Sequence, residues 1–363
     1  MLKERSVAVV LGTRPEIIKL AHIIRLLGPA ARVMHTGQHY DPGLSGIFFH
    51  AFGLDDPVVR LEIGGRSRGA QVGEAITALD QHFAGDRPAV VVVQGDTNTT
   101  MAAALAANAR EIPVVHVEAG LRSHDRAMPE EHNRVVTDHL ADLLLAPTEV
   151  ARSNLLSEGL PVERIVVTGN TVVEAVTSLL PTKEQRLSLL DRLGLTADGF
   201  VLSTFHRPEN VDRPQTLAAI LGELAGLGIP VVLPLHPRSR TRIEQHGLAP
   251  LLDKLIIVDP LGYRDFLSLL AECAVAVADS GGVQEEVSVL KRPVVVVRNS
   301  TERPEVIGTF AERVPPGPEI GTTVAAWLAD LSAVHRRLAA LPSPYGDGDA
   351  SERTVTEIAR LVG

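Results

Sequence analysis

Aromatic residues make up only 3% of this 363-residue chain, too few for the stacking platforms that grip single-stranded nucleic acid. No long basic run is present, and a net charge of -9 points the same way: nucleic acid is not the expected partner. A single cysteine, Cys273, excludes an internal disulfide and has no metal-ligand spacing around it, so a reducing cytoplasm is expected. No apolar run reaches the length of a membrane span. The first, after residue 6, is soon followed by Arg14 and Glu16, which fits neither a span nor a secretory leader. Low-complexity segments and short-period repeats are missing too. So are the G-x-G-x-x-G fingerprint and the P-loop, since the first strand-to-helix junction reads Gly12-Thr13-Arg14-Pro15-Glu16; this counts against NAD or ATP in that half.

What is there is alternation. Hydrophobic residues make up 45% of the chain, enough for two cores at this length. Strands are expected over 7–11, 32–35, 89–93, 114–117, 143–146 and 165–167. Helices are expected over 15–27, 69–83, 97–109, 130–141 and 149–157. The second half repeats the pattern, with strands over 200–204, 231–235, 255–258, 274–278 and 294–297 and helices over 214–226, 263–271, 282–290 and 322–340. Strands this apolar, alternating with helices, predict an α/β fold of two doubly wound halves. A polar stretch from Pro181 to Gly199 marks the hinge region, which starts just after Gly169. The domains are therefore set at 1–169 and 170–349, with a last helix over 350–361.

Three carboxylates fall where an open α/β sheet puts its chemistry, beyond the carboxyl ends of its strands. Asp96 closes the run Val90-Val91-Val92-Val93-Gln94-Gly95-Asp96, and Glu118 closes Val114-Val115-His116-Val117-Glu118. Glu130 follows Met128-Pro129. Converging acids suit proton transfer. Asp96 also fits a helix N-cap, and Glu130 a first helical turn, where acids are favoured. Glu118 has neither explanation, because no helix starts after Ala119-Gly120. Arg14 and Lys19 lie where they reach an anion in the crevice, or else are a solvated Arg and a surface Lys.

In the second half, Ala278-Asp279-Ser280-Gly281-Gly282 ends a strand and opens a helix. Two glycines permit close backbone approach, and the helix N-terminus suits a phosphate or diphosphate. Glu286, about one turn on, is placed to accept from ribose hydroxyls; a glycine-rich turn with a dipole-favoured Glu is the plainer alternative. His206-Arg207, after the first strand of this half, fits a donor to a phosphate oxygen beside a neutralising guanidinium. Leu235-His236-Pro237-Arg238 repeats that pattern more weakly. Histidines 35 and 39, and 132 and 139, tempt a metal reading, but the first pair straddles a strand and a loop; no metal is expected.

In order along the chain, Gly12-Thr13-Arg14-Pro15-Glu16, Thr36-Gly37-Gln38-His39-Tyr40-Asp41, Gln94-Gly95-Asp96-Thr97 and His116-Val117-Glu118-Ala119-Gly120-Leu121-Arg122 resemble the non-hydrolysing UDP-N-acetylglucosamine 2-epimerases. Met128-Pro129-Glu130-Glu131, His206-Arg207-Pro208-Glu209-Asn210, the 279–286 stretch and Thr301-Glu302-Arg303-Pro304-Glu305 continue the match. Each motif is weak alone; the ordered set, covering nearly the whole chain, is specific. The resemblance implies a GT-B-type fold, two Rossmann-like domains with the active site in the inter-domain cleft and the final helix, 350–363, completing the first domain. It implies no cofactor, a UDP-amino sugar substrate and a homodimer. Asp96, Glu118 and Glu130 match the family's active-site carboxylates, and His206 the histidine assisting UDP departure. Arg14, Lys19, Ser280, Gly281, Gly282, Glu286 and Arg303 match UDP-binding residues, with Phe266 by the uracil.

Phe205, Ala278, Leu261, His124 and His132 depart from the commoner pattern and leave the sugar open. Gln38, Arg207 and His236 match residues that hold a second, activating UDP-N-acetylglucosamine in bacterial members, but Asp41 stands where a Gln often helps. Four alternatives stay open: a GT-B glycosyltransferase with a UDP-sugar donor, an epimerase of a modified UDP-amino sugar, a hydrolysing epimerase and a non-catalytic sensor. A transferase does not need three converging acids, and a sensor has no use for them.

Overall fold

Valine-rich runs build two parallel sheets. The computed structural model describes residues 2–38, 49–50, 52–235 and 237–363, the side chain of Arg238 excepted. In the first sheet β1 (Val7–Leu11), β2 (Ala31–His35), β3 (Val59–Arg60), β4 (Val90–Gln94), β5 (Val114–Val117), β6 (Leu143–Ala146) and β7 (Ile165–Val167) lie in the order β3-β2-β1-β4-β5-β6-β7. In the second, β8 (Val201–Thr204), β9 (Val231–Pro234), β10 (Ile256–Val258), β11 (Val275–Ala278), β12 (Val294–Val297) and β13 (Ala311–Val314) lie in the order β10-β9-β8-β11-β12-β13. Every pairing is parallel. β1, β4, β5, β6, β11 and β12 are buried at every residue. That burial on both faces is why their sequences run apolar instead of alternating.

Helices of the first unit are α1 (Arg14–Leu27), α2 (Arg68–Gly85), α3 (Asn98–Ala109), α4 (Pro129–Leu140) and α5 (Glu149–Ser157), and α6 (Val172–Leu179) begins in it and ends in the second. Those of the second are α7 (Lys183–Leu193), α8 (Pro208–Val211), α9 (Pro214–Ala225), α10 (Pro237–Gln245), α11 (Tyr263–Glu272), α12 (Gly281–Leu290), α13 (Glu319–Ala329) and α14 (Leu331–Ala340). The last helix, α15 (Ala350–Val362), packs on α1 and belongs to the first unit. The two compact units are Met1–Ala175 with Tyr345–Gly363, and Val176–Pro344. Their cores centre on residues such as Val10, Leu79, Phe83 and Leu144, and on Ile220, Leu221, Val275 and Val295.

Both sheets have the Rossmann order, with the chain reversing its direction of travel between β1 and β4 and between β8 and β11. Ligands of such sheets bind at this switch point, beyond the strands' carboxyl ends. The expected fold of two doubly wound, Rossmann-like halves is what the chain adopts.

Four local expectations change. β3 is two residues long, too short for a pattern, and β13 is a sheet edge whose central Glu312 and Arg313 are exposed. The helix expected over 322–340 breaks at Asp330, whose side chain caps α14 by accepting from the Ala333 N–H at 3.2 Å. The polar stretch after Pro181 is not a linker. Thr182 and Gln185 form a capping box that starts α7, and Arg186 pairs with Glu272 at 2.7 Å inside the second unit. No described helix is long and apolar enough to cross a membrane.

Candidate active site

Glu118 follows β5 with φ at +70°, a left-handed conformation that costs a non-glycine residue roughly 1 kcal/mol. Its side chain is buried, and Lys19 Nζ donates to both carboxylate oxygens at 2.7 and 2.8 Å. Gln94, the last residue of β4, donates to Oε2, and Asn170 Nδ2 stands 3.5 Å from Oε1. Strain and a buried ion pair at one position are features that fold stability alone does not favour.

Asp96 lies one strand away. Its carboxylate pairs with the buried Arg134 guanidinium, and Asn133 donates to its carbonyl at 2.8 Å. Asp96 does not cap α3. Thr97 is the N-cap, with Oγ1 accepting from the Thr100 N–H at 3.0 Å. Glu130 is in the first turn of α4, half-buried, with no hydrogen bond or ion pair to any described residue.

One face of α4 organises all of this. Glu131, Arg134 and Asp138 are buried at i, i+3 and i+7. Glu131 accepts from the Ser123 and His124 N–H groups at 3.0 and 2.8 Å and pairs with Arg134 at 2.7 Å. Burial pushes the Glu131 carboxyl upward, but those donors outweigh it and hold it below its usual value. Asp138 accepts from Arg122 at 2.7 Å and from the Gly120 N–H at 3.2 Å, and it stands 2.6 Å from His116 Nδ1. Burial opposes its charge, and His116 and Arg122 overcome that to lower its pKa. His116 Nε2 donates to the Gly95 carbonyl at 2.8 Å. His116 thus links the turn before Asp96 to the turn after Glu118.

Gly120 is required in that turn. It has φ at +84°, and a Cβ there would sit 2.3 Å from the Ala151 carbonyl oxygen. Gly120→Ala is expected to destabilise the fold by roughly 1–3 kcal/mol, as overpacking against backbone does. Urea unfolding followed by circular dichroism measures it.

Glu16 anchors the first junction. Fully buried, it accepts from the Gly12 N–H at 3.0 Å and from the Thr13, Thr97 and Thr100 hydroxyls at 2.8, 2.8 and 3.2 Å. Here burial wins, and its pKa is raised despite four donors. Arg14 is exposed at the start of α1.

In the second unit Ser280 is the N-cap of α12, and no side chain caps the helix. Gly281 packs so closely that a Cβ would lie 2.7 Å from Glu302 Oε1 and 3.4 Å from the Arg303 guanidinium. Glu302 gathers three arginines: Arg298 and Arg303 at 2.7 and 2.8 Å, and Arg207 at 3.6 Å. Its burial disfavours charge, yet Arg303, Arg298 and Arg207 hold its pKa well below the usual range. Arg303 also donates to Glu285 at 2.8 Å. Guanidiniums gathered beside a helix N-terminus suit a diphosphate. Glu286 is buried and accepts from the Tyr263 hydroxyl at 2.9 Å; Phe266 lies half-buried on the same helix as Tyr263. His206 follows β8 with a 46% exposed side chain, Nδ1 3.2 Å from the buried Asp279.

The UDP-N-acetylglucosamine 2-epimerase family model matches residues 29–359. A Methanocaldococcus jannaschii UDP-N-acetylglucosamine 2-epimerase is 38% identical over 362 residues, 96% of this chain and 98% of the relative. The chain belongs to the UDP-N-acetylglucosamine 2-epimerase family. Members of known structure fit its fold. The M. jannaschii epimerase in complex with UDP-GlcNAc and UDP superposes with a TM-score of 0.86 at 38% identity, covering 98% of this chain and 99% of that one. The Neisseria meningitidis epimerase bound to UDP-GlcNAc gives 0.88 at 32% identity, with the same coverage. A Pseudomonas aeruginosa UDP-2,3-diacetamido-2,3-dideoxy-D-glucuronate 2-epimerase is 35% identical over 365 residues, 98% of this chain and the whole relative. The protein is thus an enzyme, an isomerase of this epimerase family.

Within the family frame, the first unit joins Lys19, Glu118 and Gln94 in one hydrogen-bonded cluster and Asp96, Asn133 and Arg134 in another, on adjacent strand ends. The second brings Gly281 against Arg303, and Gly282 near Ser280 Oγ and the Glu286 carboxylate, which accepts from Tyr263. Gln38 is spent on the fold: its Oε1 accepts from the Thr99 N–H and hydroxyl at 2.8 and 2.9 Å. His39, Tyr40, Asp41 and His236 lie outside the described residues, as does the Arg238 side chain. His35 Nδ1 accepts from the Gly37 N–H at 3.1 Å, and His132 Nε2 donates to the Arg126 carbonyl at 2.9 Å. No cluster of three or more metal-ligating side chains occurs among the described residues. The sequence reading missed Glu16, His116, Glu131, Arg134, Asp138, Asp279 and Glu302 as members of these networks. The signal for the α4 set was present: charged residues stand at the i, i+3, i+7 positions where a packed helix normally shows apolar ones.

Proposed function

We propose that this enzyme interconverts UDP-N-acetylglucosamine and UDP-N-acetylmannosamine by eliminating UDP and adding it back. The proton on sugar carbon 2 is hardly acidic in the ground state. Breaking the bond from carbon 1 to UDP first makes the sugar oxocarbenium-like, and the adjacent proton then leaves easily. The products of that half-reaction are UDP and a 2-acetamidoglucal. Protonation of carbon 2 from the opposite face, with UDP returning to carbon 1, gives the manno epimer. Opposite faces need acid/base groups on both sides, which gives Asp96, Glu118 and Glu130 their roles.

The observation that carries this reading is the position of Glu118 and Asp96 at the strand ends beside the first switch point, strained or ion-paired with buried cations. Glu130, in the first turn of α4, has no cation partner among the described residues. Lys19, already on Glu118, and Arg14 answer substrate negative charge. The N-terminus of α12 (Ser280, Gly281 and Gly282) and Arg303 take the diphosphate, Glu286 the ribose and Phe266 the uracil, while His206 protonates the leaving UDP. The same proposal includes a homodimer in the cytoplasm.

In heavy water, UDP-N-acetylglucosamine alone should gain deuterium at carbon 2 as the manno isomer appears. No deuterium uptake by any UDP-sugar would overturn the proposal. A second reading, an epimerase of a modified UDP-amino sugar, is favoured by the 35% identity to the diacetamido-glucuronate epimerase; including that UDP-sugar in the panel separates the two. Turnover that starts only when a sugar acceptor is added would mark a glycosyltransferase instead.

A further inference from the structure

Asp279 stands at the carboxyl end of β11, whose last residue, Ala278, is in register with Thr204 at the end of β8. The carboxylate is therefore opposite the loop that carries His206. It is fully buried and surrounded by donors: the His206 N–H at 3.2 Å, the Arg207 N–H at 3.0 Å and Asn210 Nδ2 at 3.1 Å. His206 Nδ1 stands 3.2 Å from Oδ1. Asn210 also donates to the Val297 carbonyl at 3.0 Å, and Arg207 Nε to the Asp279 carbonyl at 2.9 Å, so the loop is fixed on both sides of the carboxylate. The imidazole itself is about half exposed.

We propose that Asp279 is a positioning residue that holds the His206 ring with its proton on Nδ1, so that Nε2 handles the leaving group. This rests on the epimerase reading above. An ionised carboxylate only accepts, so the ring nitrogen beside it must donate. Burial works against that ionisation, and the contacts from His206, Arg207 and Asn210 override it to lower the Asp279 pKa. The proton balance then closes. As the carbon 1–oxygen bond breaks, its electron pair goes to the UDP phosphate oxygen, and the imidazolium passes its Nε2 proton to that oxygen. The neutral ring keeps Nδ1–H on Asp279. On return, the Nε2 lone pair takes the proton back as UDP attacks carbon 1.

A purely structural staple for the 205–210 loop would need the same backbone contacts but would not set the tautomer. Asp279→Asn separates the two roles. Asn presents an N–H to Nδ1 and so favours the wrong tautomer, a change that costs a catalytic triad about 10⁴ in turnover. The expected result is a kcat lowered roughly 10²–10⁴-fold with UDP affinity retained. In an Asp279→Asn/His206→Ala double variant, the Asn should add almost nothing to the loss from His206→Ala alone. Nitrogen-15 spectra of the wild-type enzyme should show His206 protonated at Nδ1. A neutral ring protonated only at Nε2 in the wild type would overturn the proposal, as would an Asp279→Asn penalty equally large with and without His206. The spectrum needs neither turnover nor a folded variant, so it decides on Asp279 even if the heavy-water experiment rejects the epimerase reading.

Discussion

Glu118→Gln is expected to lower epimerisation by roughly 10²–10⁴-fold, the usual range for a lost acid/base group, while UDP binding stays close to wild type. The carboxylate is held by Lys19 on both oxygens and by Gln94. A glutamine has the same shape but turns an N–H₂ toward donors, so it also disturbs this cluster. A loss of turnover alone would not separate chemistry from disorder. UDP titration and the thermal midpoint make the separation, because most of the groups proposed to bind UDP, around Gly281 and Arg303, belong to the second unit. A variant that is stable and binds UDP but neither epimerises nor exchanges carbon 2 deuterium supports the assignment. A variant with wild-type exchange removes Glu118 from the chemistry and leaves it as the partner of Lys19.

The fold was legible because both faces of these strands are buried. Val90–Gln94 and Val294–Val297 have no polar alternation to confuse with anything else, and their borders fall within a residue of expectation. What failed was local. β13 is an edge strand with two exposed charges in its middle. The break at Asp330 depends on one cap that a continuous apolar period hides. The capping box before α7, Thr182-Lys183-Glu184-Gln185, is present in the sequence, but its polarity reads equally well as a linker.

The candidate site was legible in part for a related reason. Glu118 ends a buried strand with no helix to cap, so it stood out as a sequence position. Its strain and its ion pair with a lysine 99 residues away are tertiary facts. Arg134 and Asp138 carry no sequence mark of pairing with Asp96, His116 and Arg122, because burial of a charge is decided by which loops the sheet brings over the helix. The acids proposed for the reaction were readable as sequence positions, and the pairings that hold them were not.

Asp138→Asn should be the most damaging single change to stability away from Asp96, Glu118 and Glu130. Asp138 is the counter-ion of the buried Arg122, stands 2.6 Å from His116 Nδ1 and also accepts from the Gly120 N–H. Removing one partner of a buried pair costs about 3–5 kcal/mol. Glu158 still holds Arg122 at 2.6 Å but is partly exposed and does not reach His116. The loss must depend on pH in a definite direction. The folded-state pKa of Asp138 is depressed, because His116 and Arg122 outweigh burial. Its charge therefore stabilises the fold above the unfolded value near pH 4, and that contribution disappears as pH falls through the lower folded value. The wild type should lose stability across that window faster than the variant. The gap between them, wide at pH 7, should narrow as the acid limb is descended. Glu131, Asp279 and Glu302 are depressed in the same sense and Glu16 is raised in the opposite one, and both proteins share those slopes; the difference reads Asp138 together with Glu158, which shares Arg122 with it. Urea unfolding of both proteins from pH 7 down to the acid limit measures it. A gap that stays constant with pH would mean that Asp138 stabilises by shape and hydrogen bonding, not by charge.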